Sequence, residues 1–162
     1  SAKPRDLLAP GSVPISHVGR GGQWTWHGPG QRVAYVMLDI SRRGQDVRAL
    51  VHGLESWIIA SLAAFGIAGQ RRDGLPGIWV KNSKSDSGLH KIAAIGIRIS
   101  RWVSWHGIAI NLDPDLDAFD AIVPCGVHDG GVTSFADLGV SASMDDLDHV
   151  LKTQFPVFFP NP

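Results

Sequence analysis

A single cysteine, Cys125, stands between Pro124 and Gly126. The thiolate is the reactive form of cysteine, and its pKa falls near a cation or exposed backbone N–H groups. Pro124 and Gly126 put the thiol on a bend, and Gly126 lets a substrate approach the backbone closely. The alternative is a small buried hydrophobe, a role that usually falls within an apolar strand or helix. With one cysteine, the chain has no internal disulfide and no multi-cysteine zinc site.

Lys91 opens the otherwise apolar run Lys91-Ile92-Ala93-Ala94-Ile95-Gly96-Ile97. It has two readings. It snorkels from a strand end into water, or it points into a cleft where its ammonium stabilises a thiolate and its amine later moves a proton. Ala93, Ala94 and Gly96 are small and leave room beside the strand for an acyl chain or another ligand. The segment Arg20 to Gly30 is dense in glycine and could offer backbone N–H groups to an oxyanion or carboxylate. It is neither a Walker loop nor a G-x-G-x-x-G fingerprint. His27 and His106 each precede a glycine, and each is either a hydrogen-bonded structural residue or part of a site. No His-x-His, Cys-x-x-Cys or His-Glu-x-x-His pattern occurs, so no metal or cofactor is expected.

Regular elements must position these residues. Val13 to Val18 reads as a short strand, residues 20–30 as a long loop or broken strand, and Arg32 to Ile40 as a buried strand. Asp46 to Phe65 is the clearest helix. Val47, Leu50, Val51, Leu54, Trp57, Ile58, Leu62 and Phe65 recur at helical spacing, and Gly66 is its stop. Ile78 to Val80 reads as a strand, and the polar residues 81–88 as a flexible loop. His90 to Ser100 and Val103 to Leu112 read as an antiparallel hairpin turning at Arg101. A short helix is expected over Asp115 to Ile122, then a loop at Pro124-Cys125-Gly126. Ser143 with Asp146 caps a helix running to about Gln154, and the Pro- and Phe-rich tail from Phe155 packs irregularly on the body. The pattern is α+β, with a mixed, largely antiparallel sheet and packed helices.

At 162 residues the chain suits one domain with a real core. Residues 1–110 carry 14 Lys/Arg against 6 Asp/Glu, and residues 111–162 carry 1 against 9. Either the two parts neutralise each other across the fold, or a basic face attracts an acidic partner. No dense basic run with interleaved aromatics points to nucleic acid. No apolar run is long enough to span a bilayer and no signal pattern opens the chain, so no membrane partner and a cytoplasmic location are expected. The mature form of a mitochondrial protein would read the same.

Taken together, several stretches resemble the lipoyl(octanoyl) transferase family. They are Arg20-Gly21-Gly22-Gln23-Trp24-Thr25-Trp26-His27-Gly28-Pro29-Gly30-Gln31, Arg72-Asp73-Gly74-Leu75-Pro76-Gly77-Ile78-Trp79-Val80 and Lys91-Ile92-Ala93-Ala94-Ile95-Gly96. His106-Gly107-Ile108-Ala109-Ile110-Asn111, Pro124-Cys125-Gly126 and Val132-Thr133-Ser134 follow in the family's order. The resemblance implies a fold related to the biotin and lipoate ligase catalytic domains. It implies transfer of octanoate from octanoyl-acyl carrier protein to a lysine of lipoyl domains, which belong to 2-oxo acid dehydrogenases and the glycine cleavage system. Cys125 then matches the acyl-thioester cysteine and Lys91 the lysine that lowers its pKa. Arg20, Gly21, Gly22, Gln23, Trp24, Thr25, Trp26 and His27 match substrate-binding positions, as do Ala94, Ile95, Gly96, Gly107, Ile108 and Ala109. Backbone N–H groups near Gly96 and Gly107 are expected to serve the oxyanion. The family's His-Pro-Pro-Val-Tyr-Thr-like stretch has no counterpart before Arg20, so residues 1–162 are expected to form an N-terminally short catalytic domain. Trp24 and Trp26 stand where smaller or tyrosyl residues are common and would narrow an acyl pocket. Two other readings stay open: an ATP-dependent lipoate or biotin ligase, and a non-catalytic protein that binds carrier or lipoyl domains.

Overall fold

In the computed structural model of the chain, residues 3–9, 11, 13–83, 88–123 and 131–161 are described. Its frame is a sheet in the order β1-β4-β3-β2, all antiparallel, made of Gln31–Tyr35 (β1), Ile78–Lys81 (β2), Leu89–Ser100 (β3) and Val103–Asn111 (β4). A short strand, Gly131–Val132 (β5), adds to β3 in parallel and makes the sheet mixed. Two helices, Val47–Ala63 (α1) and Met144–Phe158 (α2), pack together beside it. The expected α+β class is the class observed.

The β3–β4 hairpin turns on Arg101 and Trp102, whose φ values of 49° and 61° are both positive. Two such residues give a turn whose twist matches that of the flanking strands. Asp46 caps α1 by accepting from the Ala49 N–H at 3.0 Å. Leu50, Leu54, Trp57, Ile58 and Leu62 on α1 meet Ile92, Ala93, Ile108 and Ile110 of the sheet in one buried cluster. Gly66 at φ 75° closes the helix, as its position suggests. Ser143 and Asp146 form a capping box at α2. Hydrogen bonds from the Ser143 hydroxyl and backbone hold the Asp146 carboxyl below its ordinary range.

Four expectations are corrected. Val13 to Val18 forms no strand; Val13, Ile15 and Val18 are exposed, with no ladder partner among the described residues. The strand read over Arg32 to Ile40 is regular only to Tyr35. Gly107 pairs with Tyr35, and its neighbour His106 has φ 65°; beyond this point the Ser104 hydroxyl joins the pairing, donating to Val36 O and accepting from Leu38 N, beside the backbone bond from Ser104 N–H to Leu38 O. Asn82 does not belong to a flexible loop. It is buried and donates to Asp137 Oδ2 at 2.8 Å, while residues 84–87 lie outside the described residues. The C-terminal helix runs through Pro156 to Phe158 instead of ending near Gln154. Phe155 and Phe159 stack on Trp57 at 5.1 and 6.4 Å between ring centroids, and this packing outweighs the helix-breaking tendency of proline. Of the charge asymmetry, one ion pair among those described joins the two parts of the chain, Arg32 to Asp148 at 2.7 Å.

Candidate active site

Side chains of a strand alternate between its two faces. On β3 and β4, Ile95 pairs with Ile108 and Ala93 with Ile110, and these residues face the helices as part of the core or packed against it. The intervening pairs, Ala94 with Ala109 and Gly96 with Gly107, therefore lie on the opposite face. Four small residues there leave a depression in the sheet. Val33 and Tyr35 of β1 pair with Ala109 and Gly107 and extend the same floor.

The 20–27 segment roofs this floor. The Gly21 N–H donates to Ile97 O at 2.9 Å, which anchors the loop to β3. Arg20 stitches the turn by donating to Gln23 O at 2.8 Å. Its side chain crosses Gly96, where an added Cβ would stand 3.0 Å from Arg20 Cδ. The resulting cleft is lined by Arg20, Gly22, Gln23, Trp24, Thr25, His27, Val33, Tyr35, residues 94–96 and residues 106–109. Gly96→Val is expected to push the Arg20 turn off the floor and raise KM for the molecule that the cleft binds about tenfold, with kcat less affected. Steady-state kinetics checks this.

Lys91 reaches the same face through an irregularity. Strict alternation from Ala94 would turn Lys91 toward the helices. The pairing with β2 slips here: Ile78 pairs with Ala93, but Trp79 pairs with Lys91, leaving Ile92 as an extra residue. A bulge of this kind re-aims the side chains beyond it. Ile92 and Ala93 both enter the core, and Lys91 lines a cavity with Trp24, Thr25, Gln31, Ala94, Asn111 and Val132. Trp24, Thr25 and Ala94 also line the cleft, so the two spaces adjoin. Lys91 is 5% exposed, which rules out snorkelling into water. Its Nζ donates to Pro76 O at 3.1 Å and lies over the Trp79 ring at 4.7 Å from the centroid. Arg72 also lies over that ring at 5.1 Å, and Trp79 Nε1 donates to Leu75 O at 3.3 Å. Gly77 makes the approach possible. Its φ is 118°, and an added Cβ would meet Ala93 O at 2.5 Å.

The expected site residues thus divide. Lys91, Arg20, Gly22, Gln23, Trp24, Thr25, His27, Ala94, Gly96, Gly107 and Ala109 converge on the adjoining spaces. Ile95 and Ile108 border the cleft, but their side chains belong with the core, because consecutive strand residues cannot share a face. Gly21 holds the loop to β3 instead of lining the cleft. Trp26 turns away from the cleft and packs edge-on against Phe119 at 5.4 Å, so Trp24 alone of the two tryptophans narrows the space. Gly96 and Gly107 stand opposite each other in the β3–β4 ladder, where their backbone is part of the sheet and not an open loop. Cys125, with Pro124 and Gly126, lies outside the described residues. β5 follows that segment and pairs Val132 with Lys91.

Sequence reading passed over a line of amides behind the cleft. Asn111 donates to Thr133 O, Gln31 donates to Asn111, and His27 bonds Gln31. Gln31 begins β1, Asn111 ends β4 and Thr133 follows β5, so the signal the sequence offers is polarity at the ends of apolar strands.

Residues 4–156 match the lipoyl protein ligase A/B catalytic domain. The chain belongs to this family. It is 54% identical to an octanoyltransferase of Cereibacter sphaeroides over 167 aligned positions, covering 99% of this chain and 77% of that protein. It is 56% identical to an octanoyltransferase of Acidiphilium cryptum, covering 98% of this chain and 71% of that one. With relatives of this kind, this member of the lipoyl protein ligase A/B family is an acyltransferase enzyme. Its fold recurs in a bi-partite lipoate protein ligase of Thermoplasma acidophilum, with a TM-score of 0.61 at 17% identity. It recurs again in the biotin protein ligase of Aquifex aeolicus, with a TM-score of 0.57 at 12% identity. The matches cover 86% and 80% of this chain, and 55% and 52% of those chains.

Proposed function

We propose that the chain, acting as one catalytic domain, transfers an octanoyl group from octanoyl-acyl carrier protein to a lysine of lipoyl domains, in lipoate biosynthesis. The acyl group passes through a thioester on Cys125. The carrying observation is the buried Lys91, turned by the Ile92 bulge onto the face whose small-residue floor forms the cleft. Octanoyltransferase relatives at more than half identity support the acyl group. The parallel register of β5 supports the nucleophile: Val132 pairs with Lys91, and Cys125 stands seven positions before it in sequence.

The Lys91 ammonium pairs with the Cys125 thiolate. The thiolate attacks the thioester carbonyl, and a new C–S bond replaces the old one. The departing carrier thiolate takes the Lys91 proton and leaves as a thiol, so Lys91 becomes a neutral amine. The acceptor lysine then attacks the acyl-enzyme, an amide forms, and the Cys125 thiolate is released. Lys91 regains a proton and the dyad is restored. Thioester exchange is near balance and thioester-to-amide transfer runs downhill, so no nucleotide is needed. The acceptors in this reading are lipoyl domains of 2-oxo acid dehydrogenases and of the glycine cleavage system.

Transfer from octanoyl-carrier protein to an isolated lipoyl domain, followed by mass spectrometry in ATP-free buffer, tests the proposal. An octanoyl amide on the domain's lysine is expected. Transfer that requires ATP and free octanoate would place the chain with the ligases instead.

A further inference from the structure

The amide line behind the cleft has a polarity that chemistry fixes. A backbone carbonyl can only accept a hydrogen bond. The Asn111 atom 2.9 Å from Thr133 O is therefore the Nδ2 donor. Asn111 Oδ1 is left to accept from Gln31 Nε2, 2.9 Å away. That leaves Gln31 Oε1 as an acceptor, and His27 Nδ1 at 3.0 Å must carry the hydrogen between them. A neutral His27 held this way has its lone pair on Nε2, which has no hydrogen-bond partner among the described residues. Gln31 and Asn111 face each other in the β1–β4 register and line the Lys91 cavity, while His27 lines the adjoining cleft.

Proton balance leaves a role for such a group. An acceptor lysine arrives as an ammonium and ends as an amide nitrogen with one hydrogen, so it gives up two protons. After acyl loading, the neutral Lys91 amine can take one of them. His27 is exposed, so water competes for the second proton, and a base held at the cleft takes it directly from the attacking amine. We infer that the Thr133–Asn111–Gln31 line holds His27 in its Nδ1–H form so that Nε2 takes that second proton. His27 is then a catalytic base, and Gln31 and Asn111 are positioning residues. In the step, the amine nitrogen bonds the acyl carbon, the Cys125 C–S bond breaks, one amine proton goes to Lys91 and the other to His27 Nε2. His27 later releases its proton to solvent. This inference rests on the acyl-transfer reading above.

Long-range proton–nitrogen NMR of the whole chain reads the imidazole tautomer without any substrate. The wild type is expected to show the Nδ1–H form of His27, and Gln31→Met is expected to raise the Nε2–H form. Single-turnover transfer from octanoyl-enzyme to a lipoyl domain should fall about 100-fold in His27→Ala and recover in part with added imidazole. Gln31→Met should slow transfer more than acyl loading, with an altered pH profile. An Nε2–H tautomer in the wild type, or full transfer in His27→Ala, would overturn the inference. Failure of the wild type to form any octanoyl-enzyme would instead overturn the transfer reading, and with it the role of His27.

Discussion

Lys91→Met is expected to lower octanoyl transfer about 1000-fold while the protein still folds. The substitution keeps the length and apolar stem of the side chain and removes its charge. Its cost in stability is small, because the buried ammonium itself carries a desolvation penalty. Pro76 O loses one donor, and the Trp79 ring loses a cation at 4.7 Å, each worth on the order of 1 kcal/mol. Activity has no such compensation. In the proposed mechanism, loss of the ammonium removes both the charge that favours the Cys125 thiolate and the proton carrier of the two half-reactions. Acyl loading and transfer measured alongside thermal unfolding distinguish the two effects. If unfolding temperature drops sharply while turnover per folded molecule is kept, Lys91 is a structural tie between β3 and the Pro76 turn.

Trp57→Ala is expected to destabilise the fold by about 4 kcal/mol, a large share of the 5–15 kcal/mol typical of a domain. Trp57 is 4% exposed and joins the two helices. Its Nε1 donates to Leu151 O at 3.0 Å, and its ring meets Phe155 and Phe159 edge-on. Removing it leaves a cavity bounded by both helices and frees the last turn of α2, which contains Pro156. The midpoint of thermal unfolding should fall by roughly 10 °C. Trp57→Phe keeps the ring contacts and loses the N–H bond, so it should cost about 1 kcal/mol. Equal losses in the two variants would mean that the hydrogen bond, not the packing, holds the helix pair.

Legibility of the sequence followed the strength of local periodicity. Eight apolar residues at helical spacing mark the α1 helix; Leu50, Leu54, Trp57, Ile58 and Leu62 are buried, Val51 and Phe65 are half-buried, and Val47 at the start of the helix is exposed. The β3–β4 hairpin followed from its apolar content and the turn at Arg101. Elements whose existence depends on a distant partner were less legible. Val13 to Val18 has strand composition but no neighbour to pair with among the described residues. Pro156 reads as a helix end until Trp57 supplies the aromatic contacts that keep the helix going.

The site was legible by region and less so by side chain. The small residues Ala94, Gly96, Gly107 and Ala109 were all singled out, and they form the cleft floor. Ile95 and Ile108 came with them because a run of consecutive residues matches a family as a run, whereas a strand presents every second residue. Lys91 shows the reverse case. Alternation alone would have sent it to the core, and the one extra residue at Ile92 brings it to the cavity beside the cleft. A bulge is set by pairing with another strand, so a single sequence does not carry it.

The central step of the proposed reaction is formation of an acyl-enzyme on the sulfur of Cys125. Intact-mass measurement of the chain after mixing with octanoyl-carrier protein, without ATP, tests this directly. The expected result is one octanoyl adduct that hydroxylamine removes, that maps to Cys125, and that is missing from folded Cys125→Ala. Transfer to a lipoyl domain that proceeds at full rate with no adduct, or with Cys125→Ala as active as the wild type, would contradict it.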